Sequence, residues 1–579
     1  MMTATIRPNI PLALFAVGVL TASAGAQTTH FVDANLTTGA GDGSSWSNAF
    51  QGPLGLQDAI AAAVAGDEIW VADGVYLPAA PGGPRTTSFR PKNEVAIRGG
   101  FLGGETSPAG RPPFGAAPAI LSGDLEGDDG PNFTNQTDNS FHVINAAGTN
   151  GLAVVEGFTV TAGAATGGGG SNDRGGGILA LSGTAPTILD CAFIGNRCTF
   201  GGGAGYVNGA PSFVRCSFED NLGGSFGGAF DIAGAGQISF DQCTFERNRA
   251  SRAGALEIFS TPAARITNCF FKDNVATGGG GGGGLWFGSG GSSLLANCTI
   301  IENQASSQAQ GGIRVQGATP QIVNCVIWEN TGSGGAAGSS NQVTPSANVD
   351  HCLVTGGFAG GSGNIGTAPS FTDAAGGDYS LAPGSAGIDA GDSSALPPSL
   401  LVDLAGRGRL RDDPATPDTG VIGGQVAVVD MGAYEFQAGA VGISFCLNSA
   451  NSTGSAALLI GRGSEFAADD DITLTASGLP TNRVVLLAVS ASTDAIPFAG
   501  GSQGTLCLGG AIGRYSGQVA NSGATGSVDL SLDLSSIPVP GGPSAAMAGD
   551  TWIFQAWYQD SVFGIPVSNF TSALRVELR

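Results

Sequence analysis

The chain has 579 residues, of which 98 are Gly; only 12% are charged, with 46 acidic against 23 basic side chains. The length exceeds what a single hydrophobic core serves, the low charge excludes a charge-swollen disordered chain, and the glycines follow no collagen-like G-X-Y period. An acidic surface whose only lysines are Lys92 and Lys272 repels phosphate backbones and anionic lipid, so nucleic acid is set aside as a partner.

The first 26 residues carry one cation (Arg7), an apolar run from Ile10 to Leu20 and a small-x-small end at Ala24-Gly25-Ala26. This pattern predicts a secretory signal peptide cleaved before Gln27, because the apolar run is too short to span a bilayer. No later run reaches spanning length, so the mature protein is expected to be secreted or held at the cell surface without a transmembrane segment.

The middle of the chain is a repeat. Cys191, Cys216, Cys243, Cys269, Cys298, Cys325 and Cys352 recur every 25–29 residues. Asn196, Asn221, Asn248, Asn274, Asn303 and Asn330 follow the first six at +5, and Phe193, Phe218, Phe245, Phe271, Ile300, Ile327 and Val354 stand at +2. A glycine tract and a second apolar stretch, such as AFDI (229–232), complete the unit. Cys and Phe at i and i+2 read as the buried face of one strand. Units this short cannot bury a core alone, so they are expected to stack in register as a parallel β-helix. Neighbouring rungs would then lie about 4.8 Å apart. In-register Cys side chains point the same way, which is poor disulfide geometry, so these seven read as small buried thiols. The Asn column falls where strands end, and stacked amides there would bond along the axis and satisfy buried turn groups.

The motifs FIGN, FEDN, FERN and FKDN, with GGAF and AGAL between them, resemble the repeats of polymorphic outer-membrane proteins. More broadly they resemble the right-handed β-helix of the pectate-lyase-like superfamily. The segments before the repeat are legible against that resemblance. GLQDAIAAAVAGDEIWVADGVYL (55–77) is similar to the short helix and first strand that open such solenoids, with the helix capping the apolar column. NEVAIRGGF (93–101), FHVINAAG (141–148) and LAVVEGFTVTAG (152–163) look like early rungs. The solenoid is therefore assigned to 27–380.

Residues 381–437 contain SAGIDAGD, Asp403-x-x-Gly406-x-x-Arg409 and DMGAYEF, and resemble the terminal segment of choice-of-anchor β-helix proteins, expected here as an end cap. Asp389, Asp392, Asp403 and Asp430 could supply the oxygens of a calcium site, or could bond turn amides. From 438 to 579 the glycine repeat stops and alternating stretches such as DITLTASGL (471–479) and TWIFQAWYQD (551–560) predict a separate β-sandwich. Cys446 and Cys507 are its only cysteines and are expected to pair in an exported chain. The fold class is thus all-β, a solenoid with a short N-terminal helix followed by a sandwich.

Outward columns carry any chemistry. Glu302 and Glu329 would stand on adjacent rungs about 5 Å apart, the separation of a retaining glycosidase pair, with Trp328 beside them to stack on a sugar. Glu219 and Asp220 are the outward residues of their rung and candidates for carbohydrate contact, while the whole column is equally a charge-compensated rim. His351 reads as a surface residue. The functional expectation is a non-catalytic protein presenting an extended face to carbohydrate or matrix. The alternative is a polysaccharide lyase or glycoside hydrolase on the same scaffold.

Overall fold

Short strands of three or four residues, alternating buried and exposed side chains, assemble into three parallel sheets that wind around one column. The structure, a computed structural model, describes residues 27–578 apart from 235, 260–263, 307–309, 333–337, 398–399, 401, 414–415, 426, 437–439, 447–449, 464–466, 471 and 563–564. The expected signal peptide lies outside the described residues. The first sheet has 12 strands, the second 10 and the third 7. In the second sheet, Phe193, Phe218, Phe245, Phe271, Ile300, Ile327 and Val354 are register partners on successive rungs. Their rings stack inside the column, with centroids 5.3, 4.8 and 4.6 Å apart from Phe193 to Phe271. Each buried ring removes a large apolar area from water, worth roughly 1.5–3 kcal/mol, which no single rung could retain alone.

The cysteines are buried and free, but they do not share a strand with the phenylalanines. The residue before each Cys is left-handed, with φ between 47° and 55° from Asp190 to His351, so the chain turns there from the first sheet to the second. Cys is the first inward residue after that corner. Its thiol donates to the carbonyl two residues back, at 3.1–3.4 Å. The residue four after each Cys, from Gly195 to Gly356, is also left-handed, with φ between 51° and 76°. Two outward columns, the residue before each Cys and the residue four after it, are therefore corners, whereas the column three after, which holds Glu219 and Trp328, ends the strands of the second sheet.

The Asn column is a hydrogen-bonded ladder. Asn221 Nδ2 donates to Phe193 O at 2.8 Å and to Asn248 Oδ1 at 3.0 Å, and the same contacts repeat on each rung. Each backbone amide donates to the same Asn oxygen on the next rung. The glycine tract then passes close to the outer surface of the third sheet: at Gly227 (φ +40°) a Cβ would stand 1.8 Å from Phe230 O.

The helix Gly55–Ala62 buries Leu56, Ala59 and Ile60 in the first end of the column. At the other end the turn 356–366 closes the last rung, with Ile365 N donating to Cys352 O and Val354 N to Ile365 O. The segment expected as an end cap runs instead along the flank of the solenoid. Four corner side chains dock it: Gln242, Asn268, Asn297 and Asn324 donate to the carbonyls of Asp403, Val402, Asp430 and Asp392 at 2.7–3.2 Å. Arg409, fully buried, bonds Asn268 Oδ1 at 2.7 Å, Gly432 O and Ala433 O, and pairs with Glu435 at 3.2 Å. The reason is chemical: left-handed corners carrying side-chain amides offer donors that the segment's carbonyls need, whereas the last rung is already closed by the 356–366 turn.

Beyond it, sheets of four and six strands pack face to face over Leu459, Leu474, Leu487, Phe554 and Leu574. Cys446 and Cys507 form a disulfide in this unit, with Cα atoms 6.5 Å apart. Its hairpin reaches back to the solenoid, where Thr493 Oγ1 donates to Ala109 O at 3.3 Å. No described helix is long and apolar enough to cross a membrane.

Candidate functional site

The outward face of the second sheet is divided in two. Over rungs 270–354 it is covered. Tyr379 stacks near Phe270 (centroids 5.3 Å) and its hydroxyl donates to Glu302 at 3.3 Å. Lys272 Nζ pairs with Glu302 at 3.2 Å and also with Asp273. Trp328 is half-buried among Val326, Leu353, Met431 and Phe371 rather than presented as a stacking platform. Glu329 is exposed, and its backbone amide donates to Thr355 Oγ1. Glu302, Trp328 and Glu329 share one neighbourhood, but Phe371, Tyr379 and Met431 pack over Trp328, and Tyr379 and Lys272 occupy the carboxylate of Glu302. His351 is buried, 8% exposed, beneath the 356–366 turn, because its left-handed corner folds it under that loop.

Over rungs 159–249 the same face is open. Arg247 is the centre of a charge cluster, bonding Asp220 at 3.0 Å, Glu219 at 2.9 Å and Glu246 at 3.2 Å. On the neighbouring corner Arg215 makes a two-pronged pair with Asp190, both contacts 2.7 Å. A loop between Ser122 and Ser140 stands beside this face, tied by Arg197 donating to Phe133 O at 3.2 Å. Asp124 holds the loop by accepting from the amides of Gly127, Asp128 and Asp129. Between loop and sheet lies a groove of about 450 Å³ lined by Asp129, Phe133, Gln136, Asp220, Arg247 and Arg249. Its lining therefore mixes carboxylates, guanidiniums, a side-chain amide and one aromatic ring.

Two carboxyls here are held above the ordinary range. Burial raises Asp129, opposed by bonds from Asn139 and Gln136 and reinforced by Asp124 and Asp138. Burial raises Glu246, and Glu219 adds to it. The hydrogen bonds Arg247 donates to Asp220 and the neighbouring negative charges hold it firmly in its charged form. Asp129, Phe133, Gln136 and Arg249 escaped the sequence reading because they lie outside the outward columns flanking the repeat Cys. The polar excess GDLEGDDGPNFTNQTDNS between two rungs is the signal that marks such a loop.

A second charged centre sits lower on the first corner. Glu156 is nearly buried between Arg98 and Arg111; burial opposes its charge, but the two guanidiniums hold its carboxyl below the usual range. Arg111 and Asp190 also line a cleft of about 560 Å³ against Phe445, Asp494 and Arg575 of the sandwich.

The four aspartates named for calcium do not act as one set. Asp392 accepts from Ser394 N, Asp403 from Arg407 N and Glu435 N, and Asp430 from Asp389 N and Phe436 N. Asp389 is the exception: its carboxylate lies with those of Asp412 and Asp418, one oxygen of each within 4.8 Å of the others.

The family comparison agrees with the parallel solenoid over its middle rungs. The family described as right-handed β-helix region matches residues 208–372. Among solved structures, the enzymatically active domain of tailspike protein 2 of bacteriophage CBA120 is similar at 11% identity, over 90% of this chain and 76% of that one, with a TM-score of 0.26. No curated protein matches the chain.

Proposed function

We propose that this chain is an exported β-helix protein that binds carbohydrate in the open groove of its second sheet and has no catalysis of its own. One observation carries the reading: Asp220, Arg247 and Arg249 converge with Asp129, Gln136 and Phe133 on a groove of about 450 Å³, while Phe371, Tyr379 and Met431 pack over the later rungs around Trp328. Charged pairs whose donors and acceptors are fixed in place suit sugar hydroxyls, and an aromatic ring suits the apolar C–H face of a sugar. The pairing of Asp220 with Arg247 argues against a free carboxylate working as nucleophile. The same reading takes the solenoid as pectate-lyase-like, its repeats as akin to those of polymorphic outer-membrane proteins, and residues 381–437 as a choice-of-anchor segment. It places the mature protein outside the cell or on its surface, against a polysaccharide or matrix.

A second reading, lyase or glycoside hydrolase, is favoured by the raised carboxyls of Asp129 and Glu246, a property of general acids. One panel separates the two. Neutral and acidic polysaccharides are assayed for binding and, with and without calcium, for new reducing ends and unsaturated products. Binding without turnover, weakened about tenfold or more by Arg247→Ala, supports the first reading. Turnover abolished by Asp129→Asn or Glu246→Gln replaces it with the second. Absence of binding and turnover across the panel removes both.

A further inference from the structure

We propose that Asp389, Asp412 and Asp418 bind one divalent cation of the calcium class, which clamps Asp412 and Asp418 against the buried Asp389. One carboxylate oxygen from each lies within 4.8 Å of the others, a spacing that a single hard cation spans with oxygen ligands. Asp389 is fully buried, and its Oδ1 has no hydrogen-bond partner among the described residues. A buried carboxylate oxygen left without a donor is costly unless a ligand completes it.

The chain around Asp389 is arranged to hold it still. Its Oδ2 accepts from Asp413 N at 3.2 Å, its carbonyl accepts from Thr419 N at 2.9 Å and Gly420 N at 3.1 Å, and its amide donates to Asp430 Oδ1 at 2.8 Å. The charges of Asp412, Asp418 and Asp413 that act on it are all negative. Asp412 and Asp418 are exposed, which leaves room for the waters that complete a six- to eight-oxygen shell. The donor set holds no His or Cys, so zinc is a poor match. Asp392, Asp403 and Asp430 are spent on backbone amides, whereas no described hydrogen bond or ion pair uses the carboxylates of Asp412 and Asp418.

The test is calcium titration by isothermal calorimetry on the full chain after chelator treatment, with hydrogen exchange at Thr419 and Gly420 as an independent readout. The variants are Asp412→Asn with Asp418→Asn, both at exposed positions that folding tolerates. Asp124→Asn controls for the other carboxylate group, Asp124, Asp128 and Asp129. The expected result is one calcium bound by the native protein with slower exchange at both amides. Affinity drops at least tenfold in the double variant and is retained in Asp124→Asn. No uptake at about 1 mM calcium, the weak end for extracellular sites, overturns the proposal, as does uptake unchanged in the double variant or lost in Asp124→Asn.

Discussion

Asn330 gives both its backbone amide and its side-chain amide to one atom, Oε1 of Gln342, at 3.0 and 2.8 Å, and Gln342 Nε2 returns a bond to Asn330 O at 2.8 Å. Gln342 lies on a separate short helix, Ser339–Gln342, yet it occupies the place the next asparagine of the ladder would take. At the opposite end Gly163 N donates to Asn196 Oδ1 at 3.0 Å. The ladder is thereby closed at both ends, with no amide of the column left to seek water inside the protein.

Ladder interior and ladder end should differ. Asn248→Ala removes acceptors from Asn221 and donors from Phe218 O and Asn274 Oδ1, so it should cost about 1–3 kcal/mol. Gln342→Ala should cost less and act locally, because only the Asn330 rung depends on it, whereas Asn248 bonds the rungs on both sides. Urea unfolding gives the magnitudes. Hydrogen exchange at the amides of rungs 216–274 should quicken for the first variant and stay unchanged for the second; equal protection in both would contradict the ladder's role.

Two glycines separate strain from collision. Gly280 (φ +79°) faces open space, so Gly280→Ala should cost only the left-handed penalty of about 1–2 kcal/mol. Gly227 (φ +40°) adds a Cβ contact of 1.8 Å with a carbonyl, and Gly227→Ala should cost clearly more or prevent soluble expression. Comparable melting temperatures for the two variants would show that the close approach to the third sheet does not constrain this turn.

The third sheet carries two buried acids on adjacent rungs, Asp231 and Glu257, register partners of each other. Burial pushes Glu257 up to about 8 and Asp231 to about 6, with Asp231 reinforcing Glu257 and the guanidiniums of Arg252 and Arg174 opposing. Burial outweighs Arg252, which lies 2.9 Å from Glu257. The folded state therefore keeps protons that the unfolded chain releases near the ordinary carboxyl values. The stability these groups contribute is full below those values and is lost as pH rises through about 6 and 8. Glu257→Gln should gain on the native protein by a few kcal/mol, roughly, between about pH 5 and pH 9 in denaturant titrations. A pH-independent difference between the two would contradict this.

The single disulfide encloses 61 residues of separation, and replacing Cys446 and Cys507 by Ser should destabilise the sandwich by about 2–4 kcal/mol. The solenoid should keep its own transition, since its cysteines are free thiols. Calorimetry resolves the two events. Thiol titration should find Cys191, Cys198, Cys216, Cys243, Cys269, Cys298, Cys325 and Cys352 unreactive when folded and reactive in denaturant.

Cys, Phe and Asn at fixed offsets made the stacked rungs, the core and the amide ladder readable, because in a repeat each position meets only its own copies on the rungs above and below. Local sequence thus dictates the neighbour, and register follows from period. The site was not readable in this way. Whether Glu302 meets Tyr379, and whether Asp220 and Arg247 border a groove, depends on where the 123–139 loop and the chain from 371 to 437 lie. Those placements are fixed by contacts across large separations, such as Asn268 with Arg409 and Arg197 with Phe133. The docking amides Gln242, Asn268, Asn297 and Asn324 recur with the repeat, but their partners Asp403, Val402, Asp430 and Asp392 follow no period, so the pairing is not written in the sequence. The chain's own pattern determines the scaffold, and only the tertiary structure decides which stretch of that scaffold remains open to a ligand.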